Sequence, residues 1–313
     1  MKKHLFILSM AIFAWGILSG QSDESINPVA KHEYSIYAGG GLSTLRYESA
    51  IGSSSGMAGG LLGADYRFFP LKNFGLGVGM EVSFYNAKGL IGDYSFAEQA
   101  KDYEGNSFEF RTTLRDYVER ESVVMFNIPV MLRYRGDPEK NAFYFAVGGK
   151  LSIPVSGKYR IVGGTSSNSG YYAEEHYEYT GQKFVGFGSF PEFGDQEIRL
   201  KTTLIIAAEA GVNWRLQYLL LYTGIYVDYG FKKNMIERSN ELISTYNHDN
   251  QVERRTGSML TSQYRLPNGN RESIVTENVL PVAIGLKVGV TLGHGRKKER
   301  YGNYDHAPVF QRR

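Results

Sequence analysis

Phe74-Gly-Leu-Gly-Val-Gly-Met-Glu-Val-Ser-Phe-Tyr85 alternates without a break. Phe74, Leu76, Val78, Met80, Val82 and Phe84 fall on one face; Gly75, Gly77, Gly79, Glu81, Ser83 and Tyr85 fall on the other. A period of two is that of a β-strand, whose successive side chains point to opposite sides of the pleat. The apolar face must meet something apolar. The opposite face carries glycines and a carboxylate, which the core of a soluble sandwich tolerates poorly. A large apolar face outward and a small or polar face inward is the pattern of a membrane-spanning barrel strand.

Seven further segments repeat this pattern. They lie near Tyr34–Leu42, Gly59–Phe69, Val124–Tyr134, Phe143–Val155, Leu204–Leu216, Tyr218–Phe231 and Leu280–Leu292. Their outward faces hold residues such as Leu62, Ile128, Leu132, Phe145, Ile206, Val227, Leu280 and Leu286; their inward faces hold Ser35, Tyr37, Asn127, Ser152, Tyr222 and Tyr226. The connections alternate in length. Ser/Gly-rich 43–56 and the polar stretches 86–121, 157–199 and 233–277 are long; those at Pro70–Asn73, Gly136–Lys140 and Arg215–Gln217 are short. Short turns at one end and long loops at the other describe an all-β, eight-stranded antiparallel up-and-down transmembrane β-barrel with long extracellular loops. An even strand number puts both termini on the short-turn side. Tyr34, Phe68, Phe69, Phe74, Tyr134, Phe143, Trp214 and Tyr218 collect at the short-turn ends, and Phe84, Tyr85, Tyr229 and Phe231 at the others, where amphipathic rings suit a headgroup region.

The first residues look like an export signal: basic Met1-Lys2-Lys3-His4, apolar Leu5–Leu18, then small Ser19 and Gly20. The apolar run is shorter than the roughly 20 residues of a spanning helix. The expected division is a signal peptide at 1–20 cleaved near Gly20, a periplasmic lead-in at 21–32, an outer-membrane barrel at 33–293 and a basic periplasmic tail at 294–313. Tyr (23), Phe (18) and Gly (37) are abundant, as curved strands with aromatic girdles require. The absence of cysteine removes disulfides, thiol nucleophiles, thiolate metal sites and lipidated cysteine anchors. A formal charge of +3 gives no argument for nucleic acid.

Phe126-Asn-Ile-Pro-Val-Met-Leu-Arg-Tyr134 resembles the aromatic-x-Ile-Pro-apolar-x-apolar-x-Tyr strand of PorT-like outer-membrane barrel proteins of the Bacteroidota type. Tyr37-Ala-Gly-Gly-Gly-Leu42 and Ala146-Val-Gly-Gly-Lys150 fit the same family. The resemblance implies an outer-membrane location and an eight-stranded barrel. The long insertions and the basic tail depart from it, and the family's link to protein secretion is not carried over.

The inward charges are the candidate site. Asp65, Glu81, Glu209 and Asp228 are acidic; Arg67, Arg133, Lys150, Arg215 and Lys287 are basic. An eight-stranded barrel is only wide enough for side chains to fill it. Ionised groups confined there must be paired or hydrated. One reading is a polar permeation path; the near balance of signs favours a salt-bridge network that plugs the lumen. Enzyme chemistry finds no support. None of His4, His32, His176, His248, His294 and His306 lies beside an inward Ser, and there is no Gly-x-Ser-x-Gly motif. Gly148-Gly-Lys150 lacks the spacing of a phosphate loop. His176 and His248, with Glu174, Glu175 and Asp249 nearby, read as solvated loop residues rather than metal ligands. No catalytic residue, cofactor or metal is assigned. Two loop stretches, Phe108–Leu114 and Tyr171–Tyr179, alternate like hairpins standing above the membrane. The expected partners are outer-membrane lipids and a protein held through the external loops or the periplasmic tail. The expected function is a non-enzymatic structural or interaction role; the alternative is a narrow channel or a component of transport or secretion.

Overall fold

The computed structural model describes residues 31–137, 140–192, 194–216, 219–231, 235–238, 243–245, 255–265 and 272–292. The signal, most of the lead-in, the tail and His248 lie outside them. Eight long strands form the barrel: β1 His32–Ser49, β2 Ser53–Phe68, β3 Phe74–Ile91, β4 Ser107–Arg135, β5 Ala142–Tyr172, β6 Thr203–Arg215, β7 Leu220–Gly230 and β8 Thr276–Leu292. Each pairs antiparallel with its neighbours in sequence, and β8 returns to β1 through the register Tyr34↔Leu292 to Ser49↔Thr276. This closes an eight-stranded antiparallel up-and-down barrel and removes its sheet edges.

The alternation read from the sequence survives in the burial. Glu81, Ser83, Tyr85, Asn127, Lys150, Glu209, Asp228 and Lys287 are buried inside. Leu132, Phe143, Leu286, Leu62 and Leu42 stand on the outside, each more than half exposed. The outward apolar positions of β4 run from Tyr134 to Val124. Ten residues of strand cover about 33 Å, or about 25 Å along the axis of a barrel whose strands tilt by about 40°.

Two expectations are corrected. The stretch 43–56 is not a loop: β1 continues to Ser49 and β2 begins at Ser53, so the connection is a tight turn. Leu45 and Tyr47 face inward there and fill the barrel, which keeps the chain extended. The insertions at 86–121 and 157–199 are largely strand. β3 runs on to Ile91; β4 begins at Ser107 rather than near Val124; β5 continues to Tyr172 rather than stopping near Val155. Leu280 keeps its expected outward face, opposite exposed Arg46, but is itself little exposed.

Above the outward apolar band, β4 and β5 form the middle of a wall. Tyr94–Lys101 pairs with the first half of β4, and Tyr177–Tyr179, Gly188–Pro191 and Gly194–Glu197 pair with β5. Both long strands change face partway. In β4, Phe108, Phe110 and Leu114 face in at even positions, whereas Tyr117, Glu119 and Glu121 face in at odd ones. The switch occurs at Asp116, which has φ 50°, opposite Gly164 with φ 114°. An irregularity of one extra residue resets the face that points inward. At the tip, Phe108 stacks on Tyr172 at 5.1 Å and meets the edge of Phe187 at 5.7 Å, a small core of its own.

Some lumen glycines make room for aromatic rings. The Tyr222 ring lies across Gly289, and an added Cβ would fall among its ring atoms. Gly289→Ala is therefore expected to lower stability by about 1–3 kcal/mol, the usual cost of overpacking. Urea unfolding of the reconstituted protein followed by tryptophan fluorescence measures it; an unchanged midpoint would contradict the packing described.

Candidate functional site

The inward positions of all eight strands converge on a band of charge. β2 supplies Asp65 and Arg67, two residues apart on one face. Asp65 accepts hydrogen bonds from Arg67 Nε at 2.8 Å, from Arg133 Nη2 of β4 at 2.7 Å, and from the Ser35 hydroxyl of β1. Arg133 Nη1 lies 3.6 Å from Glu209 of β6, which also pairs with Lys287 of β8. Lys287 Nζ stands 3.6 Å from the centre of the Tyr37 ring, and the Arg67 guanidinium 4.5 Å from that of Tyr222, both suited to cation–π attraction.

A second cluster sits beside the first. Lys150 of β5 bridges Glu81 of β3 at 2.6 Å and Asp228 of β7 at 2.8 Å. Glu81 also accepts from Asn127 Nδ2 at 3.0 Å, Ser83 Oγ at 2.9 Å and the Tyr37 hydroxyl at 3.2 Å. Four carboxylates thus meet four cations, and every one of the eight side chains is at most 6% exposed. Such groups are stable only when paired and hydrogen-bonded, because each loses its hydration on burial.

Eight of the nine residues expected in this network are brought together. Arg215 is not part of these pairings: it lies half-buried at the end of β6, where its backbone N–H donates to Asn141 Oδ1 at 2.8 Å. A further ion pair at the short-turn end, Glu33 with Arg135, went unread in the sequence. Arg135 also lies over Phe69 at 3.6 Å. Its parity with Arg133 carried the signal; assigning its neighbourhood to a turn hid it.

Above the ion network the interior turns apolar. The described parts of 233–277, expected outside, fold into the barrel mouth. Met235, Ile236, Ile243, Met259, Leu260 and Val275 are buried against Leu45, Tyr117, Val123 and Ile161. Of two acids that the sequence reading left in a loop, Glu119 holds this insertion and Glu121 is buried near it. Glu119 accepts from Tyr117 Oη at 2.8 Å, from the Met259 backbone N–H at 2.9 Å and from the Ser258 hydroxyl. Glu121 accepts from Tyr47 Oη at 2.9 Å, while its Oε2 has no hydrogen-bond partner. Neither acid has a cation partner among the described residues. Burial raises the Glu119 carboxyl to about 7, against the opposing effect of its three donors. Burial, then the charge of Glu119, raises Glu121 as well. His176 occupies a turn with φ 51°, and no group of three or more metal-ligating side chains occurs among the described residues.

Two predictions follow from this geometry. Lys150→Met leaves Glu81 and Asp228 facing each other without their shared cation. It is expected to destabilise the protein by about 3–5 kcal/mol, the range for breaking a buried pair from one side, read as a lowered urea midpoint. A neutral result would mean that the lysine is not needed to hold the acids. The second concerns the mouth. Glu119 has its pKa raised above its ordinary 4.5, so the folded chain keeps a proton there that the unfolded chain loses between about 4.5 and 7. The stability this proton contributes is complete below the window and is lost as pH rises through it. Tyr47 from β1 and Tyr117 from β4 face the acids, and Tyr159 from β5 and Glu192 act on Tyr117. Hydrogen exchange at Met259 and Leu260, corrected for its intrinsic pH dependence, is expected to be less protected at about pH 8 than at about pH 5. Glu119→Gln should flatten the difference; equal protection in the native chain at both values refutes the coupling.

No family model matches the chain, and no curated protein matches it. Among solved structures, it is similar to Ail, the attachment invasion locus protein of Yersinia pestis, determined in complex with the heparin analogue sucrose octasulfate. The identity is 12%, the match covers 84% of this chain and 100% of that one, and the TM-score is 0.32. It is also similar to the outer membrane protein OprG of Pseudomonas aeruginosa, at 10% identity, with 86% and 99% of the two chains covered and a TM-score of 0.34.

Proposed function

We propose that this chain is a non-enzymatic outer-membrane barrel whose transmembrane lumen is closed and whose working surface is the wall carried above the membrane. Polarity supports the membrane placement. Large apolar side chains face outward around the barrel, and the charges face inward. A soluble barrel has the reverse arrangement. The outward band is close to the height of an outer-membrane apolar belt. Its short-turn edge carries rings in contact, Phe74 with Tyr134 at 5.1 Å and Tyr34 with Tyr66 at 5.3 Å. The PorT-like resemblance of Phe126–Tyr134 belongs to the same reading, with both termini on the periplasmic side.

The observation that carries the closed lumen is the Asp65–Arg67–Arg133–Glu209–Lys287 and Glu81–Lys150–Asp228 network, in which every charged group already has a protein partner. A permeating ion would have to displace one of these partners. The insertion of Met259 and Leu260 above it adds an apolar layer. With the lumen occupied, the elaborated part of the molecule is outside: β4 and β5 are 29 and 31 residues long, far more than the roughly 9–11 that a membrane crossing uses.

Planar-bilayer conductance of the refolded protein tests this, with heat-modifiable migration on SDS gels as the proof of folding. A shifted band without reproducible openings is the expected result. Stable ion-selective openings that change in Lys150→Met or Glu81→Gln would overturn the closed lumen and make the chain a narrow channel.

A further inference from the structure

The outer face of the barrel carries a row of cations that the lumen does not use. In the β3–β4 register Lys88 stands directly opposite Arg120, and in the β4–β5 register Arg120 stands directly opposite Arg160. Directly paired residues share a face. That face is the outer one, since the neighbouring row Ala87, Glu121 and Tyr159 is buried inside. Lys158 lies two residues from Arg160 on the same face, opposite Ser122. Four cations therefore occupy three adjacent strands, with about 5 Å between strands. Like charges directly opposite in a sheet repel each other. Among the described residues neither Lys88 nor Arg120 has a carboxylate partner. The nearby acids stand at the border: Asp195 touches Arg160 at 3.4 Å, with both side chains about 70% exposed, and Glu197 is opposite Lys158.

The height of the row says what it meets. Two steps down the same strands the outward face becomes apolar, with Phe84 and Val155 exposed and Val124 between their strands. If the band is a membrane belt, the row lies at the outer headgroup level, on the long-loop side. We propose that Lys88, Arg120, Lys158 and Arg160 form a cradle for the phosphate headgroups of anionic lipid in the outer leaflet. Guanidinium groups bind phosphate oxygens in a fork, and the lysines add point charge. Bound phosphate would also relieve the repulsion along the row. This inference rests on the membrane reading above.

The full chain is reconstituted into phosphatidylcholine vesicles that contain a minor fraction of phosphorylated lipid A, its dephosphorylated form or neither. Co-flotation and heat-modifiable migration report insertion; native mass spectrometry after detergent release reports the lipids retained. Selective retention of the phosphorylated form is expected, weakened roughly fivefold for each charge removed in Lys88→Gln, Arg120→Gln and Arg160→Gln. Lys101→Gln, at the tip of the wall, should leave it unchanged. Arg120→Gln alone serves if the triple variant fails to insert. Inserted protein that retains both lipid forms equally, or a triple variant that inserts and retains phosphorylated lipid as before, overturns the cradle and leaves the barrel assignment standing. Displacement by inorganic phosphate alone would assign the row to free anions and overturn the lipid reading. Failure of the native chain to insert sinks both proposals.

Discussion

The pairing of buried charges inside the barrel is the constraint on which the other features depend. An eight-stranded barrel closes around a space that side chains must fill. Here the filling is ionic, and each strand contributes one of its members or a group that bonds to one: Ser35 and Tyr37, Asp65 and Arg67, Glu81, Arg133, Lys150, Glu209, Asp228 and Lys287 in chain order. The attraction between partners offsets a desolvation penalty of several kcal/mol per ion. That balance holds only at one register. A slip of one residue would exchange lumen and outer faces along a whole strand, placing Lys150 outside and Leu151 within. The network therefore specifies the pairing of distant strands as well as filling the space between them.

Most of the barrel was legible because period two is a local signal. Phe74–Tyr85 and Leu204–Leu216 declare their faces without help from the rest of the chain, and so the inward acids and bases could be named one by one. Their pairing was not legible. Lys150 finds Glu81, 69 positions away in sequence, only because β3 and β5 flank β4 at matching height in the barrel. The limits of the strands were misread for a different reason. Above the apolar belt the outward face becomes polar, so the contrast between faces fades although the backbone remains extended. Phase shifts add to this: Asp116 and Gly164 interrupt the alternation that would have joined Phe108–Leu114 to Val124–Tyr134. Glu119 and Glu121 were lost in that gap.

The interior changes character with height. The lower part is ionic and balanced. The upper part is apolar, packed by described residues of the returning connection, with two buried acids beside them. Glu119 and Glu121 there have no cation partner among the described residues, and burial raises both carboxyls, whereas the lower network is neutral as a set. The same barrel wall thus encloses two kinds of filling, and the row of Lys88, Arg120 and Arg160 lies on the outer side of the wall that bears the two acids.

The continuity of β4 and β5 has a mechanical meaning. Their ladder runs from Arg135↔Tyr144 at the short turn to Glu109↔Tyr171 near the tip, interrupted by bulges but not by a hinge. A load applied at the tip along the strands acts on these hydrogen bonds in shear, many at once, rather than opening them one after another. Tension on the exposed wall is thereby passed to the barrel as to an anchor. Force at the tip would thus be shared by many hydrogen bonds rather than resting on any single one.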